Sequence, residues 1–364
     1  MRLRPLPNRR TLLLGLLAAL ALAGLPAAGH AQKVEVTFLH VNDVYEISPK
    51  QGIGGMAPLM TLLRQERART PHTLTTLGGD TLGSSMMSGI TKGAQMIELW
   101  NAIGLDIAVV GNHEFDFGPD VFRSRLGESR FPWLGTNALG QDGKPFGGMQ
   151  AAALRKIGDL NFGFFGLITP HTSFLASPGP GITFAPVLDS ARAAVKDLRE
   201  RGADVVVALT HLDIAEDRRL AKEVRGIDVI LGGHDHDPIS FYENGVFILK
   251  AGYDAHYLGA VDIVAEKRQT PQGPRISVRP VAWRLVTTAG VAPDPEIALL
   301  VKKWEDQLDR DLLVAVGKTE VELDSRRGAV RLRESAIGNL FADATRDVVK
   351  AEAAIINGGG IRGD

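Results

Sequence analysis

Residues 107–118 read IAVVGNHEFDFG, an apolar run followed directly by a polar loop. The continuous apolar character of Ile107–Val110 predicts a buried strand. Asn112, His113 and Glu114 then bring an amide, an imidazole and a carboxylate to the end of that strand. Open α/β sheets bind their ligands at such carboxyl ends. Taken alone, however, the stretch is more typical of a polar turn between a strand and a helix.

Four other apolar runs in the chain end in the same way. They are followed by HVND at residues 40–43, GGD at 78–80, TH at 210–211 and GGHDH at 232–236. A glycine before the polar residue permits a sharp turn and a close backbone approach, so the polar side chain can point into a shared pocket. Each turn could be purely structural, and a single buried histidine more often completes a core than binds a metal. Five such strand ends together favour a metal site.

The donors at these strand ends are carboxylate oxygens, an amide oxygen and imidazole nitrogens. Such a set suits two divalent cations, with one carboxylate shared between them. The chain contains no cysteine. A thiolate zinc site of the zinc-finger type is therefore excluded.

The composition fits a folded protein with a substantial core. The 364 residues carry 41 basic and 42 acidic side chains, and 45% of them are apolar. At roughly 100–200 residues per domain, this length allows two domains. The balanced charge argues against a nucleic-acid partner, because nucleic-acid-binding domains usually have a basic excess. The apolar content argues against a disordered chain.

Residues 1–31 have the features of an export signal. Four arginines precede the apolar run 12–25, and small residues at 27–31 offer a cleavage site near Gln32. A membrane-spanning helix needs about 20 apolar residues, so we expect no stable membrane span after cleavage. The segment NRRTLL at 8–13 resembles a twin-arginine signal. An ordinary secretory signal is an equal alternative, and an uncleaved anchor is a third. We therefore expect an exported protein, periplasmic or extracellular.

Short apolar runs alternate with amphipathic segments from residue 33 onward, a pattern that predicts the α/β class. The predicted strands are Val34–Leu39, Leu74–Leu77, Ile107–Val110, Phe162–Leu167, Val205–Leu209 and Val229–Leu231. The predicted helices cover 56–69, 94–103, 121–126, 190–201 and 216–224. Shorter alternating segments between residues 238 and 285 predict antiparallel strands. The sheets should therefore be mixed.

The polar strand ends also resemble a known family. The five blocks of the calcineurin-like metallophosphoesterases are matched, in the family's order, by residues 42–43, 78–80, 111–114, 210–211 and 233–236. The branch with the nearest likeness contains the secreted bacterial 5'-nucleotidases, which also cleave nucleotide sugars and cyclic nucleotides. NGGGIR at 357–362 resembles the signature of that branch's C-terminal domain. The resemblance implies a mixed two-sheet sandwich flanked by helices, then a linker helix and a partial α/β C-terminal domain.

Domain boundaries follow from this resemblance and from the residue pattern. We expect a catalytic domain over 32–292, a linker helix over 293–313 and a truncated C-terminal domain over 314–364. Asp294-Pro295 is typical of a helix start. The C-terminal part predicts a strand over 314–321, a helix over 334–350 and a strand over 353–356. The inward residues of the helix should be Ile337, Leu340, Phe341 and Val348.

The last predicted domain is short. The resemblance implies a domain that runs further and grips the nucleobase, so we expect the chain to be either a fragment or the product of a truncated gene. The part present holds about fifty residues, near the size below which a core seldom stands alone. We therefore expect poor packing after Leu313 unless a partner covers it.

The resemblance also implies roles for individual residues. Asp80 would bridge two metals, which could be Mn, Zn, Co or Mg. The first metal would also be bound by Asp43 and His236, and the second by Asn112, His211 and His234. His113, oriented by Asp116, would stabilise charge on the phosphoryl group or the leaving oxygen, although Asp116 could instead only cap the next helix. Asn112 and Arg362 would line the substrate site.

One position departs from the family pattern. The family usually has Asp-x-His in its first block, with that histidine binding the first metal, whereas this chain has Asp43-Val44-Tyr45. A phenol with a pKa near 10 is a poor ligand for borderline divalent ions. Tyr45 could be a non-ligand beside a weaker first site, it could bind a harder metal, or His40 could take its place. We favour the first alternative, because His40 lies within the strand.

The implied activity is hydrolysis of nucleotide phosphomonoesters by a water that the metals activate. Cyclic nucleotides and nucleotide sugars are further candidate substrates. Two alternatives remain: an exported thiosulfohydrolase-like enzyme with two metals, and an inactive, truncated metal-binding remnant. The carboxylate of Asp116 fits a phosphoesterase better than a thiosulfohydrolase.

Overall fold

Two six-stranded mixed sheets form the body of the fold in a computed structural model, which describes residues 32–312, 315 and 317–361. The predicted export signal lies outside these residues. The strands are, in chain order, β1 (Gln32–Val41), β2 (Thr73–Leu77), β3 (Ile107–Val109), β4 (Trp133–Leu134), β5 (Ala138–Leu139), β6 (Ala152–Ile157), β7 (Leu160–Ile168), β8 (Thr183–Phe184), β9 (Val205–His211), β10 (Val229–Gly232), β11 (Pro238–Glu243), β12 (Val246–Ala251), β13 (Tyr257–Thr270) and β14 (Gly273–Thr287).

Most of the helices pack on the outer faces of the sheets, although the last of them has no buried residue. They are α1 (Met56–Arg67), α2 (Met86–Thr91), α3 (Ala94–Ile103), α4 (Pro119–Glu128), α5 (Thr172–Leu175), α6 (Val187–Glu200), α7 (Ile214–Glu223), α8 (Pro295–Leu312), α9 (Arg327–Val330) and α10 (Ala336–Val349). Single 3₁₀ turns lie at His113–Phe115, Phe146–Gly148 and Gly358–Gly360. No helix in the described part of the chain is long and apolar enough to cross a membrane.

Both sheets are mixed, as predicted, with antiparallel strands at one edge of the first sheet and at both edges of the second. The first sheet has the order β14-β13-β1-β2-β3-β4, in which β1 to β4 run parallel. The second has the order β11-β12-β10-β9-β7-β6, in which β12, β10, β9 and β7 run parallel. Parallel strands covered on both faces read as unbroken apolar runs, which is why the sequence revealed them.

One of the apolar cores lies between the two sheets. The ring of Phe38 on β1 packs edge-on against Phe162 and Phe164 on β7, with centroid distances of 6.5 and 6.2 Å. This packing aligns the carboxyl ends of β1, β2 and β3 with those of β9 and β10. The loops that follow these five strands therefore meet at one edge of the sandwich.

The helix predicted over 293–313 is present as α8. The carboxylate of Asp294 accepts hydrogen bonds from the backbone N–H groups of Glu296 and Ile297, each at 3.2 Å, and so caps its first turn. Ile297 and Val301 are buried against the core beneath α1 and α3. Helix α8 is thereby held on the outside of the first sheet.

The C-terminal segment differs from the sequence prediction. The strand predicted over 314–321 is absent from its described residues, 315 and 317–321, and residues 353–356 also form no strand. An isolated strand has no partner for its backbone hydrogen bonds, and none is offered within the described residues. The predicted helix is present as α10, but Leu340, Phe341 and Val348 are 52%, 48% and 80% exposed, so the prediction that they point inward is wrong.

Candidate metal centre

Asp43, Asp80 and His211 form the centre of a buried polar cluster where the two sheets meet. One ligand atom from each lies within 4.8 Å of the others, and none of the three side chains is appreciably exposed. Nε2 of His211 lies 3.1 Å from Oδ2 of Asp80. The cluster joins residues that follow β1 and β2 with the last residue of β9, so both sheets contribute to it.

The two aspartates sit in an unusual backbone conformation. Asp43 has a φ of 54° and Asp80 a φ of 58°, in the left-handed region. Residues other than glycine rarely adopt this conformation, and such residues concentrate at functional sites. Gly111 lies so close that a Cβ at this position would fall 2.1 Å from Oδ1 of Asp80. The backbone is shaped to bring these oxygens together.

His211 is oriented by a backbone contact. Its Nδ1 lies 2.8 Å from the carbonyl oxygen of Gly78, so this nitrogen donates and Nε2 faces the cluster. Nε2 also lies 3.2 Å from Oδ1 of Asn112. Metal-binding histidines are typically fixed in this way by a carbonyl on their other nitrogen. Burial lowers the pKa of His211, but the neighbouring Asp80 outweighs it and raises the pKa to about 9.

His234 and His236 reach the cluster from the loop after β10. The backbone N–H of His234 donates to Oδ2 of Asp43 at 2.9 Å, and its ring centroid lies 5.0 Å from that of His211. Burial and the neighbouring His211 lower the pKa of His234. Nε2 of His236 lies 3.3 Å from Oδ1 of Asp43, and this hydrogen bond raises the pKa of His236. All six residues predicted to bind metal are thus brought together.

Tyr45 occupies the space between the two aspartates. Its hydroxyl lies 3.1 Å from Oδ2 of Asp80, 3.2 Å from Oδ1 of Asp43 and 3.4 Å from Nε2 of His236. Burial and these carboxylates raise the pKa of Tyr45 well above its usual value, so it remains a phenol that donates a hydrogen bond. Its oxygen faces the residues predicted to bind the first metal.

His40 takes no part in the cluster. Its Nδ1 lies 2.9 Å from the hydroxyl of Thr76 and its Nε2 lies 2.9 Å from the carbonyl oxygen of Gly232. Burial lowers the pKa of His40 to about 4, so the ring is neutral. Both nitrogens are engaged between the sheets, and the structure gives no support to the alternative in which His40 replaces Tyr45.

His113 and Asp116 form a hydrogen-bonded pair beside Asp80. Nδ1 of His113 lies 2.7 Å from Oδ2 of Asp116, and its Nε2 lies 3.9 Å from Oδ2 of Asp80. Burial lowers the pKa of His113, but the Asp116 hydrogen bond outweighs it and raises the pKa to about 9. Helix α4 has Gly118 as its N-cap, without a side-chain hydrogen bond, so Asp116 does not cap it. Ser84, which sequence reasoning missed, lies 3.0 Å from Nδ1 of His113.

Sequence reasoning also missed the part played by Glu114. Its buried carboxylate accepts hydrogen bonds from the backbone N–H groups of Gly111 at 2.6 Å, Asp80 at 3.0 Å and Thr81 at 2.7 Å. Burial and the neighbouring Asp80 raise the pKa of Glu114 to about 7. The side chain ties the loop after β2 to the loop after β3. No spacing in the sequence signals such a contact with backbone groups.

The residues present fit divalent cations. Carboxylate oxygens and an oriented imidazole nitrogen converge in a buried position. The oxygens are hard donors that suit magnesium and manganese, and the imidazole is a borderline donor that suits ions such as zinc. Arg362, predicted to line the substrate site, lies outside the described residues. A two-sheet α/β sandwich with this donor cluster at its strand ends is the framework of a metal-dependent phosphoesterase.

Comparisons with known proteins agree with this class. The family model described as calcineurin-like phosphoesterase matches residues 36–238, and the model described as 5'-nucleotidase, C-terminal domain, matches residues 315–364. The chain belongs to the calcineurin-like phosphoesterase family. Members of this family hydrolyse phosphoesters with the help of divalent metal ions.

Individual relatives carry related names. The chain is 30% identical to the 5'-nucleotidase of Homo sapiens over 393 residues, which cover 95% of this chain and 67% of the human protein. A 5'-nucleotidase precursor from Thermus thermophilus superposes with a TM-score of 0.69 at 24% identity, covering 87% of this chain and 67% of that one. The sulfate thiohydrolase SoxB from Thermus thermophilus superposes with a TM-score of 0.66 at 22% identity, covering 90% and 69%. The two superpositions establish a shared fold.

Proposed function

We propose that this protein hydrolyses nucleotide phosphomonoesters, in the manner of a 5'-nucleotidase, with two divalent metal ions. The observation that carries the proposal is the convergence of Asp43, Asp80 and His211 within 4.8 Å, beside the hydrogen-bonded pair of His113 and Asp116. The name of the human relative supports a nucleotide as the substrate. Since the chain spans 67% of that relative, the activity is proposed for the part present here.

The proposed ligands divide into two sets that share Asp80. Asp43 and His236 would bind the first metal, whereas Asn112, His211 and His234 would bind the second. The hydrogen bond from Nδ1 of His211 to Gly78 supports this assignment, because it leaves Nε2 directed at Asp80. The carboxylate and amide oxygens suit manganese and magnesium, whereas the imidazole nitrogens suit borderline ions such as zinc and cobalt.

The chemistry follows from the positions of the protein groups. Divalent cations at such a site supply Lewis acidity and lower the pKa of water. In the metal-free protein His113 carries a proton, because its hydrogen bond to Asp116 raises its pKa to about 9. It would donate this proton to the leaving oxygen, or balance the charge on the phosphoryl group, while Asp116 holds its ring in place. Asn112 and Arg362 would contact the substrate.

Export of the protein is part of the same proposal. The arginine-rich and apolar segment at residues 1–31 supports a signal that directs the chain to the periplasm or outside the cell. Comparing the N-terminus of protein recovered from the periplasm with that of cytoplasmic protein would test this. A mature N-terminus near Gln32 is expected, and an uncleaved chain retained in the cytoplasm would contradict export.

The activity can be tested with two substrates. Purified protein should hydrolyse AMP in the presence of Mn²⁺, Co²⁺, Zn²⁺ or Mg²⁺ and lose this activity on chelation. Asp80→Asn should abolish hydrolysis, whereas Asp120→Asn, which changes a carboxylate that is 90% exposed, should not. If the protein hydrolyses a generic aryl phosphate but not AMP, its activity is that of a general phosphatase and not that of a nucleotidase. Turnover of neither would indicate an inactive metal-binding protein.

A further inference from the structure

Lys250 is a lysine without exposed surface in the second sheet. On β12, Phe247 and Leu249 belong to the core between the sheets, whereas Val246 and Ile248 belong to the core beneath α6 and α7. Because side chains alternate along a strand, Lys250 falls on the same side as Val246 and Ile248. An apolar residue is expected there, since an ion buried without partners costs several kcal/mol.

The ammonium of Lys250 is fully engaged by oxygen atoms. Nζ donates to the carbonyl oxygens of Leu212 at 2.5 Å and Gly233 at 2.8 Å, and to Oδ2 of Asp235 at 2.7 Å. It also forms an ion pair with the buried carboxylate of Asp217 at 2.9 Å. Burial lowers the pKa of Lys250, but the two carboxylates outweigh it and raise the pKa, so the group is charged.

These contacts join two loops of the proposed metal site. Leu212 directly follows His211 at the end of β9, and Gly233 directly precedes His234 at the end of β10. A single charged group therefore holds the backbone next to both imidazoles proposed for the second metal. It lies behind these loops, on the side covered by helices.

The surrounding backbone leaves room for this side chain. Gly232 on β10 is the register partner of Lys250 on β12. A Cβ at Gly232 would lie 3.0 Å from Cε of Lys250 and 3.0 Å from Oδ2 of Asp217. A larger residue at position 232 would press on the ion pair. The glycine and the two charged residues form one packed unit beneath the loops.

We propose that Lys250 is a positioning residue for the second metal: by joining the backbone beside His211 and His234, its ammonium sets the affinity of the metal that these histidines bind. Lys250 itself contacts neither metal nor substrate in this arrangement. The inference rests on the proposed function, because it presupposes that His211 and His234 are ligands. Groups that orient metal ligands typically change metal affinity by roughly 10- to 100-fold when they are removed.

The test is a calorimetric titration of metal-free protein with Mn²⁺. Lys250→Met keeps the length of the side chain and removes the charge. This variant should bind one of the two Mn²⁺ ions with an affinity that is roughly 10- to 100-fold lower. His234→Ala should lower the affinity for the same ion. The role of Lys250 would be overturned if Lys250→Met binds both Mn²⁺ ions with parental affinity, or if its affinity falls equally for both ions. A parent protein that binds no metal would instead overturn the proposed function.

A second variant covers the case in which Lys250→Met does not fold. The double variant Lys250→Met with Asp217→Asn removes the ion pair as a unit, and the carboxylate of Asp235, which is 26% exposed, can be solvated. A lower affinity for one of the two Mn²⁺ ions in this variant supports the proposal, and parental affinity for both ions overturns it. Lys267→Met is the matched control, because Lys267 pairs with Asp204 at 2.7 Å and is paired in register with Gln32, at the opposite end of β1 from the site. It should leave metal binding unchanged.

Discussion

Nδ1 of His113 lies 2.7 Å from Oδ2 of Asp116, three residues further along the same loop. This hydrogen bond keeps the imidazole protonated and fixes its direction. Asp116→Asn should therefore lower the pKa of His113 from about 9. Since the proton donor is then lost at lower pH, the alkaline limb of the pH–rate profile should move toward neutrality. At neutral pH we expect kcat for AMP to fall roughly 100-fold, the lower end of what a positioned acid contributes.

The measurement is kcat against pH, with an NMR titration of His113 in the metal-free protein. Asp120→Asn serves as the control, because it removes an exposed carboxylate that pairs with Arg123 on α4. An unchanged alkaline limb in Asp116→Asn would contradict the role of the pair.

Stability of the metal-free protein should fall as the pH rises. The pKa of His211 is about 9 in the folded protein, compared with 6.5 as its ordinary value. Its proton therefore contributes stability that is fully present below pH 6.5 and is lost as the pH rises through 9. Metal binding requires the ring to lose this proton, so added metal should stabilise more at higher pH.

Thermal unfolding between pH 6 and 9, with chelator and with Mn²⁺, measures both effects. The curve with chelator should decline with pH, and the gap between the two curves should widen. A stability that rises with pH in the presence of chelator would show that the ion pair of His211 and Asp80 is not formed.

Tyr45→His should raise the affinity for the first metal. The Tyr45 hydroxyl lies within 3.2 Å of both Asp80 and Asp43 and brings only a neutral phenol to them. An imidazole at this position adds a nitrogen donor, which we expect to tighten binding by about tenfold. Metal content after dialysis and a calorimetric titration provide the measurement, with Tyr242→His on the exposed edge strand as the control. Unchanged stoichiometry and affinity would remove the case for a weak first site.

Glu114→Gln should loosen the loop that carries Asp80. The carboxylate accepts backbone hydrogen bonds from Gly111, Asp80 and Thr81, whereas the amide of glutamine brings an N–H₂ group toward some of these donors. Hydrogen bonds to charged groups contribute about 2 kcal/mol each, so above the carboxylate's pKa of about 7 a lower melting temperature and a lower metal content are expected. Glu200→Gln, at a side chain that is 67% exposed, is the control. A variant that keeps parental metal content would show that Asp80 is held by other contacts.

Limited proteolysis should cut first within residues 315–361. None of the residues of α10 is buried, and Leu332 and Ile355 are 83% and 97% exposed. Segments with few buried apolar contacts open at low free-energy cost. The expected product ends near α8, and mass spectrometry would identify it. Resistance equal to that of the two-sheet body would mean that a further surface covers this segment.

The sequence predicted the strand-end loops because their signals are local. Ile107–Val110 and Val205–Leu209 are apolar runs of strand length, and each is followed at once by residues that bind metals well. Parallel strands in one sheet end at the same edge, so adjacency along the sheet could be inferred without coordinates. The meeting of both sheets at one site rested on the family resemblance.

Glu114 and Lys250 could not be found in this way. Several of their partners are backbone N–H and C=O groups of loops distant in sequence, and backbone groups carry no residue-specific pattern. A lysine at the end of an apolar strand is normally predicted to be exposed to solvent. The wrong strand at 353–356 has the opposite cause. Its residues form a short apolar run that suits a strand, but a strand also needs a neighbour, which the pattern of one segment does not supply.

The position of the cluster between the sheets has a mechanical consequence. Asp43 and Asp80 extend from the first sheet, whereas His211 and His234 extend from the second. Two cations that share Asp80 would tie together two layers that otherwise adhere through apolar packing. The chain contains no cysteine, so no disulfide can do this. The metal centre would thus act as a reversible cross-link: a chelator that stops catalysis would also allow the two halves of the sandwich to separate at lower temperature.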